Sequence, residues 1–388
     1  MEPIFKFFLA LIKYDLFDVP LSESDMLPLS EENLEQLYHL AAKHDLAHLA
    51  GDALYKNKLL PKDSSAAEKF QKAQITALYR YTRMEHERAR IYQVLESARI
   101  PFVPLKGLVI RSLYPQPYLR TSCDLDILIH REDLSQATAL LESHLNYTSE
   151  ELSDLHDISL FSPGGIHLEL HYSLDSPYDF LNVTLAKVWD YCTPVSEGSS
   201  EHRQSPEFFM LYQVTHMVSH FLDGGCGIRP LADLALLQRR FSYDESALIA
   251  LCASCGSAVF YGQAKHLANV WFGEETHNQT TQEMERFILG GGVYGSKKNN
   301  MEIRQQKHKS NAGYILSRIF MPYQQLKHQY PILKKHKWLF PFISVRRWFN
   351  LLIPNRRKRA LGELSASAEH FENAQTAISQ LLTDLELP

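Results

Sequence analysis

A chain of 388 residues, 45% of them hydrophobic, can bury a large core and make two or three packed units. Its longest apolar runs, FKFFLALIKY and WLFPFISVRRWFNLLIP, are broken by charge well short of the ~20 residues a membrane span requires, so no transmembrane segment is expected. The net charge of −5 is unevenly spread: residues 303–362 hold 14 Lys or Arg and no acid, leaving 26 basic against 45 acidic residues elsewhere, a net −19.

Residues 1–99 read as a helical region. The chain opens on acidic Glu2 with no basic leader and no small-residue cleavage site, so export is not expected. Five cysteines, with Cys252 and Cys255 reading as buried core thiols and Cys123 as a small buried residue, agree with a reducing, cytoplasmic setting. Three helices are expected here: FKFFLALIKYDLF, a second over residues 31–59, and a long one from Ser64 to Ala98. In the second, Leu34, Leu37, Leu40 and Ala41 form one apolar stripe, and Ser30 with Glu32 and Asn33 marks its start. His39, His44 and His48 lie near that stripe and read as surface or core-edge residues.

At Pro101 the period changes, and residues 100–200 read as a small mixed sheet with helices on one side. FVPL is a strand, Gly107 ends it, and LVIRSLY makes a helical turn. Such a place lets backbone amides approach a phosphate, a weak signal when taken alone. DLDILI is the next strand. Side chains alternate along it, so Asp124 and Asp126 share one face while Leu125 and Ile127 pack behind. A helix over 132–144, strand DISLFS, a turn at Gly164 and Gly165, and strand IHLELHY follow. In the last strand His167, Glu169 and His171 form the polar face and Ile166, Leu168 and Leu170 the apolar one.

Residues 201–330 read as a helical domain, with His216 and His220 one turn apart, and Arg229 and Asp233 likewise at the start of another helix. Residues 331–388 combine a basic stretch interleaved with Trp338, Phe340, Phe342, Trp348 and Phe349 and an amphipathic closing helix. The basic stretch suits an anionic partner, whether nucleic acid or a membrane surface, or docks on the acidic remainder of the chain.

Lys106-Gly107, Tyr114-Pro115, Arg120, Asp124-Leu125-Asp126, Glu169-Leu170-His171 and GIRPLADLALL resemble the bacterial uncharacterised nucleotidyltransferase family, a branch of the DNA polymerase beta-like superfamily. The similarity runs from about residue 100 to 351, and residues 1–99 share mainly their helical character. The resemblance implies an α+β fold, a nucleotidyltransferase-like sheet framed by helical regions. It also implies transfer of a nucleoside monophosphate from a nucleoside triphosphate such as ATP to an acceptor hydroxyl or phosphate, with Mg²⁺ or Mn²⁺. Carried over by position, Asp124 and Asp126 bind both of two metal ions, Glu169 binds the catalytic one, and Gly107 positions the triphosphate. The serine that follows this glycine in better-known members is Leu108 here, so Lys106 and Arg120 become its substitutes as charged donors. Arg229 and Asp233 are expected on the acceptor side. The acceptor itself, small molecule, peptide or RNA, is not implied.

Other readings stand beside this one. A D-x-D pair also occurs on solvated strand edges, although ILI directly after Asp126 indicates a buried strand whose carboxylates need a nearby cation. His167, Glu169 and His171 could form a transition-metal set, but the aspartate pair favours hard cations. A degenerate relative could serve as a nucleotide- or partner-binding module, and the basic, aromatic stretch could instead belong to an RNA-modifying enzyme or toxin.

Overall fold

Helix α1 (Pro3–Phe17) follows the apolar run of its segment. The computed structural model describes residues 2–149 and 157–292, Gly295, Asn299, Ile303, Tyr323, Leu326, Tyr330, 332–351 and 371–388. The segment expected as one helix over 31–59 is two, α2 (Glu31–Lys43) and α3 (Ala47–Lys56). Asp45 between them has a φ of 54°, a left-handed conformation that interrupts the helix and that Asp tolerates better than most residues. The bend also buries His44 and His48, which the sequence places at the surface or core edge. His48 Nε2 lies 2.9 Å from the Leu119 carbonyl, and burial pushes the His44 imidazole down to about 4. Helix α4 (Ser65–Ser97) runs its full expected length, capped by Ser64, whose hydroxyl accepts the Ala67 amide at 3.0 Å.

Strands β1 (Phe102–Pro104), β2 (Asp124–Ile129), β3 (Thr148–Ser149), β4 (Asp157–Phe161) and β5 (His167–His171) form one sheet in the order β1-β2-β5-β4-β3. Strands β2 and β5 are parallel and the other neighbours antiparallel. The parallel pairing needs a crossover, and α6 (Leu134–Leu145) with β3 and β4 supplies it. Gly165, with a φ of 78°, closes the turn between β4 and β5. Leu125, Ile127, Ile129, Leu168 and Leu170 cover one face of the sheet and are buried against Met84, Ile91 and Leu95 of α4 and Ala137 and Leu141 of α6. Each such side chain contributes about 1.5–3 kcal/mol of burial energy, which fixes the strands' facing. Cys123, expected to be buried, is exposed, because it precedes β2 and does not take part in the pleat. Cys252 and Cys255 are buried.

After the sheet come α7 (Asp179–Leu185), a hairpin of β6 (Cys192–Pro194) and β7 (His202–Gln204), then α8 (Pro206–Leu222), α9 (Arg229–Arg240), α10 (Glu245–Ser254), α11 (Ala258–Phe272) and α12 (Gln279–Gly291). The hairpin is a separate two-stranded sheet that meets the edge strand β1, where the Phe102 amide donates to the Ser200 carbonyl at 2.9 Å. This α+β arrangement belongs to one of two compact units, Met1–Ser296 with Leu385–Leu387. The other unit is Lys297–Asp384 with Pro388. In it α13 (Ile332–Lys335), α14 (Phe340–Leu351) and α15 (Phe371–Asp384) are described. Leu326 and Leu333 make a small core packed by Tyr323 and Phe340, and Trp338 and Phe342 are exposed. Most of the basic stretch, Arg356 to Arg359 included, lies outside the described residues.

Candidate functional site

The parallel register of β2 and β5 sets Asp124 opposite His167 and Asp126 opposite Glu169, one pleat further along the same polar face. Four of the residues singled out from sequence therefore meet here, because Lys106 reaches in from the turn after β1. Its ammonium donates to Asp126 Oδ1 at 2.8 Å. Lys106 adopts a φ of 44° and ψ of −116°, a backbone conformation natural to glycine, so the turn is strained at the residue that points at the carboxylates. His171 is 2% exposed; its Nε2 lies 2.9 Å from Asp126 Oδ1 and 3.3 Å from Glu169 Oε2. His167 Nε2 lies 3.0 Å from the Ser159 hydroxyl, and its ring stacks on Phe161. Ligand atoms of Asp124, His167 and Glu169, and likewise those of Asp126, Glu169 and His171, lie within 4.8 Å of one another.

The two aspartates titrate in opposite directions. Burial pushes the Asp124 carboxyl up to about 6, and the charges of Asp126 and Glu169 push the same way. Burial also opposes ionisation of Asp126, but the Lys106 ammonium and the His171 hydrogen bond outweigh it and hold that carboxyl well below the usual range. Lys106 and His171 are in turn raised: burial works against their charge, and the neighbouring anions overcome it. The cluster thus holds more negative charge than its local cations balance, and Asp124 bears the deficit. Three carboxylates with two imidazoles beside them fit a divalent cation, with oxygen the dominant donor type.

Beside Lys106 and His171 opens a cleft of about 210 Å³, bordered on the α8 side by Tyr212, His216 and His220. The two histidine Nε2 atoms are 3.0 Å apart, and burial holds both rings below their ordinary range, so they pair as neutral imidazoles. Tyr212 had no signal in the sequence; its hydroxyl is placed by the α8 periodicity and by the docking of α8 near Lys106.

Arg120, Arg229 and Asp233 form a different cluster. Arg120 is 9% exposed; its Nε donates to both Asp233 oxygens at 3.0 Å and its Nη1 to the Thr121 carbonyl at 2.6 Å. The Tyr114 hydroxyl donates to Asp233 Oδ1 at 2.7 Å. Arg229 pairs with Asp45, which also accepts the Thr121 hydroxyl at 3.1 Å. No bond among the described residues joins this network to the carboxylates. It adjoins them through Gly107, where an added Cβ would stand 3.5 Å from Arg120 Nη1 and 3.4 Å from Ser122 Cβ. Asp45 and Tyr114 were not singled out as site residues, and a partner 184 residues away leaves no local pattern to find.

Comparison with known sequences decides what this arrangement belongs to. The model of the uncharacterised nucleotidyltransferase family matches residues 30–273, more than half of the chain. The chain belongs to that family. The match begins at the residue before α2, earlier than the sequence resemblance placed it, and stops at the residue after α11, short of the basic stretch. The matched span includes α4, whose Met84, Ile91 and Leu95 pack on the sheet. No curated protein matches the chain, and no solved structure does.

Proposed function

We propose that this chain transfers a nucleoside monophosphate from a nucleoside triphosphate, such as ATP, to an acceptor hydroxyl or phosphate, releasing pyrophosphate in a metal-dependent reaction. The observation that carries the reading is the parallel register that sets Asp126 beside Glu169 with Asp124 on the same face. Those three carboxylates would hold two Mg²⁺ or Mn²⁺ ions, Asp124 and Asp126 both of them and Glu169 the catalytic one. Bound there, the ions would neutralise phosphate charge and lower the pKa of the acceptor oxygen. The acceptor oxygen bonds to the α-phosphorus as the α–β anhydride bond breaks, and its proton passes to a base while pyrophosphate leaves. Glu169, with its side chain a quarter exposed, is the base assigned here, acting directly or through water. Lys106 is assigned to the triphosphate, being the cation that faces the carboxylates. Gly107 lets the triphosphate approach the turn. Arg120, Arg229 and Asp233 are assigned a positioning role for the 114–122 loop that leads into β2, because their charged groups are already paired.

One observation supports a second reading. The Lys106 ammonium occupies an oxygen of Asp126 that a metal ion would use, and Leu108 stands where a serine is expected, as in a degenerate nucleotide- or partner-binding module. A single experiment separates the two. The protein is incubated with each labelled triphosphate and Mg²⁺ or Mn²⁺, pyrophosphate is measured, and mass spectrometry identifies what gains a nucleotide, the protein itself and added RNA included. Asp124→Asn, Asp126→Asn and Glu169→Gln are each expected to cost at least ~100-fold in rate in folded protein. Triphosphate binding without pyrophosphate release under any metal would establish the module instead.

A further inference from the structure

Helix α14 (Phe340–Leu351) and the turn before it carry apolar residues on two sides, and the small core of their unit uses one of them. Leu339, Phe340 and Ile343 pack there against Leu326 and Leu333. Away from that core, Trp338 is 67% exposed, Phe342 63% and Val345 43%. Spacings of four and three residues put these side chains in one stripe, and the Trp338 and Phe342 ring centroids lie 6.1 Å apart along it. A contiguous exposed apolar stripe is the mark of an interaction surface, where scattered exposed residues need no explanation.

The charge around the stripe is of one sign. Lys337 and Arg346, next to its two ends, are exposed. In sequence, residues 334–359 hold nine Lys or Arg and no Asp or Glu. A helix with this division lies in the plane of a lipid headgroup layer, its apolar side sunk into the boundary and its cations on anionic headgroups. No helix among the described residues is long and apolar enough to cross a membrane, so the contact is with the surface.

The charges alone draw any polyanion, RNA included, and the stripe separates the occupants. Val345, and Ile332 with 53% exposure, are aliphatic and offer a base nothing to stack on. The Trp338 and Phe342 rings stand at 80° to each other, so they do not present parallel faces to consecutive bases. A headgroup boundary accepts tryptophan and aliphatic side chains alike. Protein interfaces are depleted in lysine, whereas Lys334, Lys335 and Lys337 stand together here.

We propose that this stripe docks on an anionic lipid bilayer, with Trp338, Phe342 and Val345 set into the headgroup boundary and the flanking lysines and arginines on lipid phosphates and carboxylates. None of the three carboxylates of the transfer site takes part.

The test is co-sedimentation of the full chain in EDTA with vesicles of phosphatidylcholine alone or mixed with phosphatidylserine, with a single-stranded RNA probe in a separate arm. Binding to the mixed vesicles is expected to be at least about tenfold tighter than to phosphatidylcholine and to weaken with salt. Lipids brominated along the acyl chain should quench the tryptophan emission of the parent chain, which adhesion by charge alone would not produce. Trp338→Ser with Phe342→Ser should weaken vesicle binding at least about tenfold, with Tm and RNA binding unchanged. Trp338→Phe should keep vesicle binding and lose part of the quenching, and Lys337→Glu with Arg346→Glu should remove the preference for phosphatidylserine. Equal binding to both vesicles, absence of quenching, or full vesicle binding by the folded serine variant would each overturn the proposal. So would a stripe whose serine variant loses RNA binding or self-association while the parent ignores vesicles. Vesicle binding in EDTA does not depend on transfer at the carboxylates, so the two readings fail separately.

Discussion

Asp124 and Asp126 stand two residues apart on one strand and meet opposite electrostatic fields. Asp126 has Lys106 and His171; Asp124 has burial and two negative neighbours, which lift it from 3.8 to about 6. A carboxyl raised in the folded state retains its proton there more readily than in the unfolded chain. Its favourable contribution is therefore complete below its unfolded value and is lost as the pH rises through its folded one. The metal-free Asp124→Asn variant should thus exceed the parent by roughly 1–3 kcal/mol at about pH 8, with the gap closing toward about pH 4. Denaturant titration in EDTA at several pH values checks this, and a variant no more stable than the parent at the higher pH would contradict it. Lys106 makes a second prediction. Removing its ammonium strands Asp126 in a buried site, at a cost of about 3–5 kcal/mol. Its φ of 44° means that Lys106→Gly should be less destabilised than Lys106→Ala by about 1–2 kcal/mol. Equal stability of those two variants would show that the turn is not strained.

Helix α9 is tied to the loop before β2 by charge. The Arg120–Asp233 pair is buried and further satisfied by Tyr114, so each partner depends on the other. Asp233→Ala leaves a buried guanidinium unpaired and should cost about 3–5 kcal/mol, while Arg120→Met with Asp233→Leu should recover most of that loss. Thermal melts of the single and double variants give the coupling, and additive losses would show that the pair does not act as a unit. Arg229, whose partner Asp45 is nearly half exposed, should cost only about 0–1 kcal/mol when changed to alanine.

For the whole molecule the unevenness of charge is the governing feature. Residues 303–362 carry 14 basic groups with no acid among them. Reversing Arg356, Arg357, Lys358 and Arg359 to glutamate is expected to weaken binding of a single-stranded RNA probe and flatten its salt dependence, with little change in Tm. A lower Tm with unchanged binding would mean that the stretch serves the chain's own acidic surface. The family match ends before this stretch, which keeps the nucleotidyltransferase core and its most basic segment distinct in sequence.

The sequence by itself determined what depends on neighbours within a few residues. The two-residue alternation of DLDILI and HLELH placed Asp124, Asp126 and Glu169 on polar strand faces, and Ser30 with the Leu34, Leu37 and Ala41 stripe marked the start and the buried face of α2. These follow from backbone periodicity, which every local window carries. Only the tertiary structure decided which strands pair and in what register. The same holds for the meeting of Asp126 with Lys106, the seating of Arg120 on Asp233 113 residues away, and the pairing of Asp45 with Arg229. It also decided the break at Asp45 and the burial of His44, where long-range packing overrode helix propensity. Such pairings come from how whole faces pack, and residues far apart in the chain carry no shared local pattern from which that packing can be read.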